Sequence, residues 1–470
     1  MNFTRIIAGV GASILLTACS IGPEYVRPEN EAPPQWQAPL PHGGDPASLV
    51  NWWTQFDDPV VAELIAIAER DSPSLNQALA RIEQSRAAVT VTQSALYPGL
   101  TLNASRTRSG EHPAAYEQTI ARGSLDASWE IDLFGGNRRG GEAAQARLQG
   151  AQAAWHDART SLAAEVALEY VGLRSCEARL NDAESELTSR RNTAKMTRTK
   201  VDAGFSAPAD GALADAGAAD GATRMLALRI ECEISLKALV ALTGESEPAL
   251  RARLSARRGV LPVPATLAVE QLPARVLSVR PDVAIAERNL AAASAEIGVA
   301  EAARYPRLNL LGLIGRQSST IDGVETSGRV WSFGPALDLP IFDAGRRAAN
   351  ADAARARYDE ALAGYKGRVR QAVREVEQAL VRLASAAERE DEAQRAAERY
   401  DTVFKAAEQR WRTGFGSQLD LEETRRLAIA ARSQHQNVKY DNVAAWIGLY
   451  RAVGGGWTSA ISEQTEHAER

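Results

Sequence analysis

The sequence predicts a mainly α-helical, internally duplicated protein that also carries four β-strands. Three observations lead there. Tyr97-Pro98 recurs as Tyr305-Pro306 and Phe134 recurs as Phe342, each 208 positions on, so a unit of helix, two strands and long helix occurs twice. Two runs, about Asn137 to Val201 and about Arg346 to Arg412, hold no proline and almost only helix formers. Four shorter runs alternate apolar and polar residues with period two. The composition agrees: 45% hydrophobic, 24% charged and only 6% aromatic suits long helices.

Residues 1–18 read as an address rather than fold, with one charge before Arg5's neighbour Ile6 and an apolar run to Leu16. The following Leu16-Thr17-Ala18-Cys19 resembles the bacterial lipobox, which implies that Cys19 is acylated and becomes the mature N-terminus. Ser20 after it is what that resemblance associates with delivery to the outer membrane. No later stretch has 18 consecutive apolar residues, so no transmembrane helix is expected. Residues 19–58 form an extended tether, because seven prolines between Pro23 and Pro46 forbid regular helix.

The first repeat is expected over 59–247. Pro59 suits a first helical turn and opens a short helix to Arg70. A second helix runs from Ser74 to Leu96 and stops before Pro98. Leu100, Leu102 and Ala104 then alternate with polar residues, as do Leu125, Ala127, Trp129, Ile131 and Leu133 with Asp126, Ser128, Glu130 and Asp132. Such strands are apolar on one face and wet on the other. The long run from Asn137 follows, spanning roughly 95–100 Å if helical. Nothing compact contains such a helix, so it pairs in a hairpin with Asp210 to Leu242 beyond the break at Gly204-Phe205. Residues 248–272 read as a linker. The second repeat, 273–455, brings a helix from Arg280 to Arg304, strands at Leu308–Arg316 and Arg329–Phe342, the second long run, and a partner helix Gln418–Val453 beyond Gly414-Phe415. Residues 456–470 look disordered.

Four motifs in order now carry a resemblance: Trp52-Trp53…Phe56-Asp57-Asp58-Pro59, Arg280-Pro-Asp-Val through Pro306-Arg-Leu308-Asn-Leu310, Phe342-Asp-Ala-Gly345-Arg-Arg347, and the lipobox. Over nearly the whole mature chain this resembles the outer membrane factors, the TolC-like outer membrane channels of bacterial tripartite efflux systems, in their lipid-anchored NodT-type branch. The resemblance implies a homotrimer whose chains give four strands each to a 12-stranded barrel, continued by a long periplasmic α-helical tunnel. It also implies two protein partners, a periplasmic adaptor and an inner membrane pump, and a passive duct for drugs or other small toxic compounds. Independently, four amphipathic strands are too few to close a barrel, which takes about eight. An open edge in lipid leaves backbone groups unsatisfied.

At the hairpin tips the family has a small Gly-Leu turn that meets the adaptor. Here those positions read Gly204-Phe205 and Gly414-Phe415. Beyond the second tip, Leu419, Glu423 and Arg426 share one helical face. They align with the constriction of relatives and are the candidate gate, with Arg426 or Arg425 the natural partner of Glu423. Ala209, Leu213 and Ala216 stand at the corresponding places of the first hairpin. Cys176 and Cys232 are equidistant from Gly204, which sets them opposite each other across the hairpin within disulfide reach.

Other classes are weaker. A net charge of -5 gives no reason to expect nucleic acid. Five His and three Cys without clustering argue against a metal site, and no cofactor is implied. No nucleophile elbow or phosphate loop suggests an enzyme. A periplasmic coiled-coil structural lipoprotein accounts for the helices and the lipobox but not for the two pairs of strands. Protein secretion and metal export remain alternative cargoes of the same duct.

Overall fold

The computed structural model describes residues 20–29, 32–40, 52–54, 56–111, 116–264, 277 and 279–456. Cys19, the leader 1–18, residues 265–272 of the expected linker and nearly all of the expected tail lie outside them. In order come α1 (Pro59–Asp71), α2 (Pro73–Ser94), β1 (Gly99–Glu111), β2 (Tyr116–Ile131), α3 (Gly136–Asp202), α4 (Pro208–Thr243), α5 (Glu247–Leu254), α6 (Pro281–Ala302), β3 (Arg307–Ile321), β4 (Val324–Asp338), α7 (Arg346–Arg412) and α8 (Gln418–Ala452). The chain forms two compact units, and each takes segments from both repeats.

The first unit comprises residues 1–29, 80–153 and 284–368. Its centre is an antiparallel sheet in the order β1-β2-β3-β4. The two repeats meet in it, since β2 of the first pairs with β3 of the second, from Gln118 opposite Ile321 to Ile131 opposite Leu308. Register puts Leu102, Leu125, Ile314 and Trp331 in one cross-strand row, and Leu100, Ala127, Gly312 and Phe333 in the next. Because side chains alternate, these rows form one apolar face. Leu102, Ile314, Trp331 and Phe333 are exposed on it.

The strands depart from expectation in four places. β1 and β2 run well past their alternating cores, through Arg106 to Glu111 and Tyr116 to Arg122, because ladder hydrogen bonds and not apolar pattern carry them there. β4 stops at Asp338 rather than Phe342. Its partner β3 begins at Arg307, just after Pro306, and Pro340 has no N–H to offer a ladder. Leu311 and Leu313 fall on the face of Asp126 and Asn309, so β3 is apolar on both sides. Asp132 leaves the strand altogether: its carboxylate accepts from the backbone N–H groups of Asn137 (3.2 Å) and Arg138 (2.9 Å) and starts α3. Asp343 does the same for α7, accepting from Gly345 and Arg347.

Alanines 143, 146, 291, 292 and 295 form a buried cluster that lets α3 and α6 approach closely. Against it lies the N-terminal strap. Ile21 N–H donates to Phe134 (3.2 Å). Gly22, at φ +101°, passes so near Gly298 that a Cβ there would fall 2.5 Å from the Gly298 Cα. Tyr25 hydrogen-bonds Glu287.

The second unit comprises residues 30–79, 154–283 and 369–470. The Trp52-Trp53…Phe56 motif is its aromatic centre: Trp52 stacks on Tyr450 at 5.2 Å, with Phe56 edge-on at 5.0 Å. Asp58 caps α1 through Val60 N–H and accepts from the Tyr170 hydroxyl. Arg174, fully buried, donates to that hydroxyl and to the carbonyls of Leu254 and Ala256. The Arg280-Pro-Asp motif has a similar tying role, with Arg280 donating to Ala452 O (2.6 Å), Asp282 (2.7 Å) and Glu375 (2.6 Å). The stretch read as linker opens instead with α5. Pro248 fits a first helical turn, and Leu250 and Leu254 are buried in the core.

Candidate functional site

The tip of each hairpin is built the same way. At the end of α3, Phe205 N–H donates to Lys200 O (2.8 Å) and Gly204 N–H to Val201 O (2.9 Å); at the end of α7, Phe415 donates to Arg410 O (2.9 Å) and Gly414 to Trp411 O (3.2 Å). These paired bonds consume the last free carbonyls of each helix and require a left-handed residue, which Gly204 (φ +77°) and Gly414 (φ +87°) supply. The geometry leaves the next side chain with no helix to pack on. Phe205 is 84% exposed and Phe415 88%. The returning helices start at Pro208, with Asp210 accepting from Ala207 N–H, and at Ser417, whose hydroxyl accepts from Asp420 N–H (3.0 Å). The tips are fastened together by Thr197 donating to Gln418 (3.2 Å) and by the Lys200 ammonium over the Trp411 ring (4.8 Å).

One to two turns into α8, Leu419, Glu423 and Arg426 lie on an exposed face, Leu419 at 70%. Arg426 grips Glu423 with two donors, Nη2 at 2.7 Å and Nε at 3.2 Å. This hydrogen-bonded guanidinium holds the Glu423 carboxyl below the ordinary glutamate range. Arg425, the other partner considered for Glu423, turns the opposite way. It is 2% exposed, donates to Glu422, to Thr193 Oγ1 (3.1 Å) and to Ser189 Oγ (3.3 Å), and lies over the Phe404 ring.

Glu422 also accepts from Arg190 (2.8 Å), which reaches on to Glu186, itself bound by Arg224 (3.1 Å). A chain of alternating charges, buried at Arg190 and Arg425 and reaching the surface at Arg224, thus ties α3, α4 and α8 directly behind the exposed pair. Gly217 and Gly221 make room for it: a Cβ on Gly217 would fall 2.9 Å from the Arg190 guanidinium, and one on Gly221 would fall 3.0 Å from Arg190 Cδ. Sequence reasoning missed this network. Its visible signals were local pairs on single helices, Glu186-Arg190 at i, i+4 and Glu422-Arg425 at i, i+3. A cavity of about 210 Å³ adjoins it, lined among others by Arg425, Phe404 and Leu228.

Midway along the first hairpin Cys176 and Cys232 are joined, with Cα atoms 5.5 Å apart. Among the described residues, the matching level of the second hairpin carries polar pairs instead, Arg389 with Asp441 (3.3 Å) and Asn442 with Glu390 (2.6 Å). Among the described residues no cluster of three or more His, Cys, Asp or Glu could hold a metal. No described helix is long and apolar enough to cross a membrane.

Comparison with known proteins gives one consistent result. The family model described as outer membrane efflux protein matches residues 64–245 and again 272–455. Nodulation protein T of Rhizobium leguminosarum bv. trifolii is 31% identical over 97% of this chain and 98% of its own length. The toluene efflux pump outer membrane protein TtgF of Pseudomonas putida is 30% identical over 97% of both. Among solved structures, the outer-membrane channel OprN superposes with a TM-score of 0.84 at 30% identity, covering 93% of this chain and 100% of that one. The open state of the Neisseria gonorrhoeae MtrE outer membrane channel gives 0.81 at 28% identity, over 93% and 98%. With a duplicated family match, full-length relatives and a shared fold of four strands and long helical hairpins, this chain belongs to the outer membrane efflux protein family, whose members are efflux channels of the outer membrane.

Proposed function

We propose that three copies of this chain close a 12-stranded barrel in the outer membrane and that their helices form the periplasmic tunnel of a tripartite efflux pump. The observation that carries it is the sheet itself. β1 and β4 are open edges, and one face presents Leu102, Ile314, Trp331 and Phe333 uncovered. Lipid tolerates no open edge, so the strands must continue into further chains. Three times four strands exceed the roughly eight at which barrels close. The apolar face then meets lipid, and Cys19, acylated, anchors the strap that ends at Ser20.

The duct is passive, with no chemical step. It discharges drugs or other small toxic compounds handed over by an inner membrane pump through a periplasmic adaptor, a substrate class supported by the relative named for toluene efflux. Phe205 and Phe415 with their glycines are the adaptor contact: two exposed aromatics on rigid turns offer a partner apolar area at little entropic cost. Leu419, Glu423 and Arg426 line the constriction. The repeats, with boundaries 59–247 and 273–455, each supply one strand pair and one hairpin.

Unheated detergent-solubilised protein should migrate on a gel as a trimer that boiling converts to monomer, and should form discrete conducting channels in planar bilayers. A species that migrates as monomer without heating, and conducts nothing, overturns the reading.

A further inference from the structure

The apolar face of the sheet ends in arginines. Moving away from the helices toward the hairpin ends, the row Leu102, Leu125, Ile314, Trp331 is followed by Ala104, Gly123, Arg316, Arg329, and that by Arg106, Ala121, Ser318, Ser327. Register fixes these rows on the same face as the leucines. Arg316 and Arg329 stand directly opposite each other across β3 and β4. Like charges so placed destabilise a sheet unless something negative lies between them.

Among the described residues no carboxylate forms an ion pair with any of these arginines. Among the described residues the ion pair on this part of the face is Arg108 with Glu117. Arg106, Arg316 and Arg329 have none. Two of the three border a shallow basin of about 620 Å³ whose floor includes Gly123, where even an added Cβ would meet nothing within 4 Å. The carboxylate that lines this basin, Glu325, is engaged by the Ser318 hydroxyl (2.6 Å).

Position identifies the ligand. Trp331 and Phe333 mark the upper rim of the apolar band, as aromatic residues do at a membrane interface. The arginine row lies two residues further, about 7 Å along the strand. That is the depth of headgroups, on the side away from the helices and hence in the outer leaflet. We propose that the arginine row at the edge of this basin binds the phosphate of an outer-leaflet glycolipid, the lipid A type of headgroup, with Arg316 and its cross-strand neighbour Arg329 clamping the phosphate and Arg106 flanking it from within the basin. Planar guanidinium groups match phosphate oxygens bidentately, and a basic cluster beside a membrane-facing surface selects anionic lipid. The proposal rests on the lipid-facing reading of this sheet face.

The test uses the full chain in detergent, titrated with diphosphorylated lipid A, its dephosphorylated form and phosphatidylglycerol, and read by native mass spectrometry. Wild type should retain diphosphorylated lipid A, and R316Q/R329Q should bind it roughly 30-fold more weakly, while single-channel conductance stays unchanged. Equal affinity in the variant, or equal binding of the dephosphorylated lipid, refutes the site. Preference for phosphatidylglycerol refutes its assignment to the outer leaflet. Brominated lipid separates the two readings: quenching that falls in Trp331→Phe shows the face in lipid, whereas no loss overturns the lipid-facing reading and the site with it.

Discussion

Arg425 and Arg426 are sequence neighbours with opposite surroundings, and the difference sets what each does. Arg426 stays in solvent and clamps Glu423; Arg425 is buried against Glu422, Ser189 and Thr193. Removing the outer pair should loosen the proposed constriction without disturbing the fold. E423A/R426A is expected to raise channel conductance and the uptake of large antibiotics at unchanged thermal stability. A conductance equal to wild type removes these residues from the gate. Acid should mimic the variant. Because Arg426 lowers the folded Glu423 value, the ion pair persists above the ordinary glutamate range and is lost only as pH falls through the lowered value. Conductance should therefore rise only under strongly acidic conditions, and that rise should vanish in the double variant. The outer pair was legible because it is local, two residues one turn apart. The inner network was not, since Arg190 comes from α3 and becomes a partner only when Gly217 and Gly221 admit it.

Helix breaks and helix ends divide along the same line. Gly204 and Gly414 announce the tips because no other residue takes a left-handed turn so readily, and both tips fall where the sequence puts them. Strand ends are set by ladder partners instead. Arg106 to Glu111 carry no apolar pattern, and Leu339 to Phe342 carry one without being strand. The pair of hairpins also differs in bracing: α3 and α4 are joined covalently at Cys176 and Cys232, whereas α7 and α8, the second of which bears the proposed gate residues, are linked at that level by the polar pairs Arg389–Asp441 and Asn442–Glu390. Cys232→Ser should lower the stability of the first hairpin by about 2–4 kcal/mol, seen as faster proteolysis within α3 and α4. The same cleavage rate in wild type and variant shows that the bond contributes nothing at this level.

At the scale of the whole molecule, duplication was evident from Tyr97-Pro98 and Tyr305-Pro306, yet compact units could not be read from it. Each unit draws on both halves, because β2 seeks β3 and because the aromatic centre at Trp52 needs Tyr450 from the far end of the chain. A repeat in sequence is therefore not a folding unit here. A chain ending at Ser246 should be proteolysed rather than inserted in membranes, since the β1–β2 hairpin left alone is marginal in water. Stable membrane insertion of that fragment, measured by urea-resistant fractionation, contradicts this. The seam between β2 and β3 thus also acts as a timer. Pairing Gln118 with Ile321 must wait until the second half has been exported. A partly translocated chain then holds no more than a weak hairpin with which to enter the wrong bilayer, and the complete sheet first exists on the side of the cell envelope where it belongs.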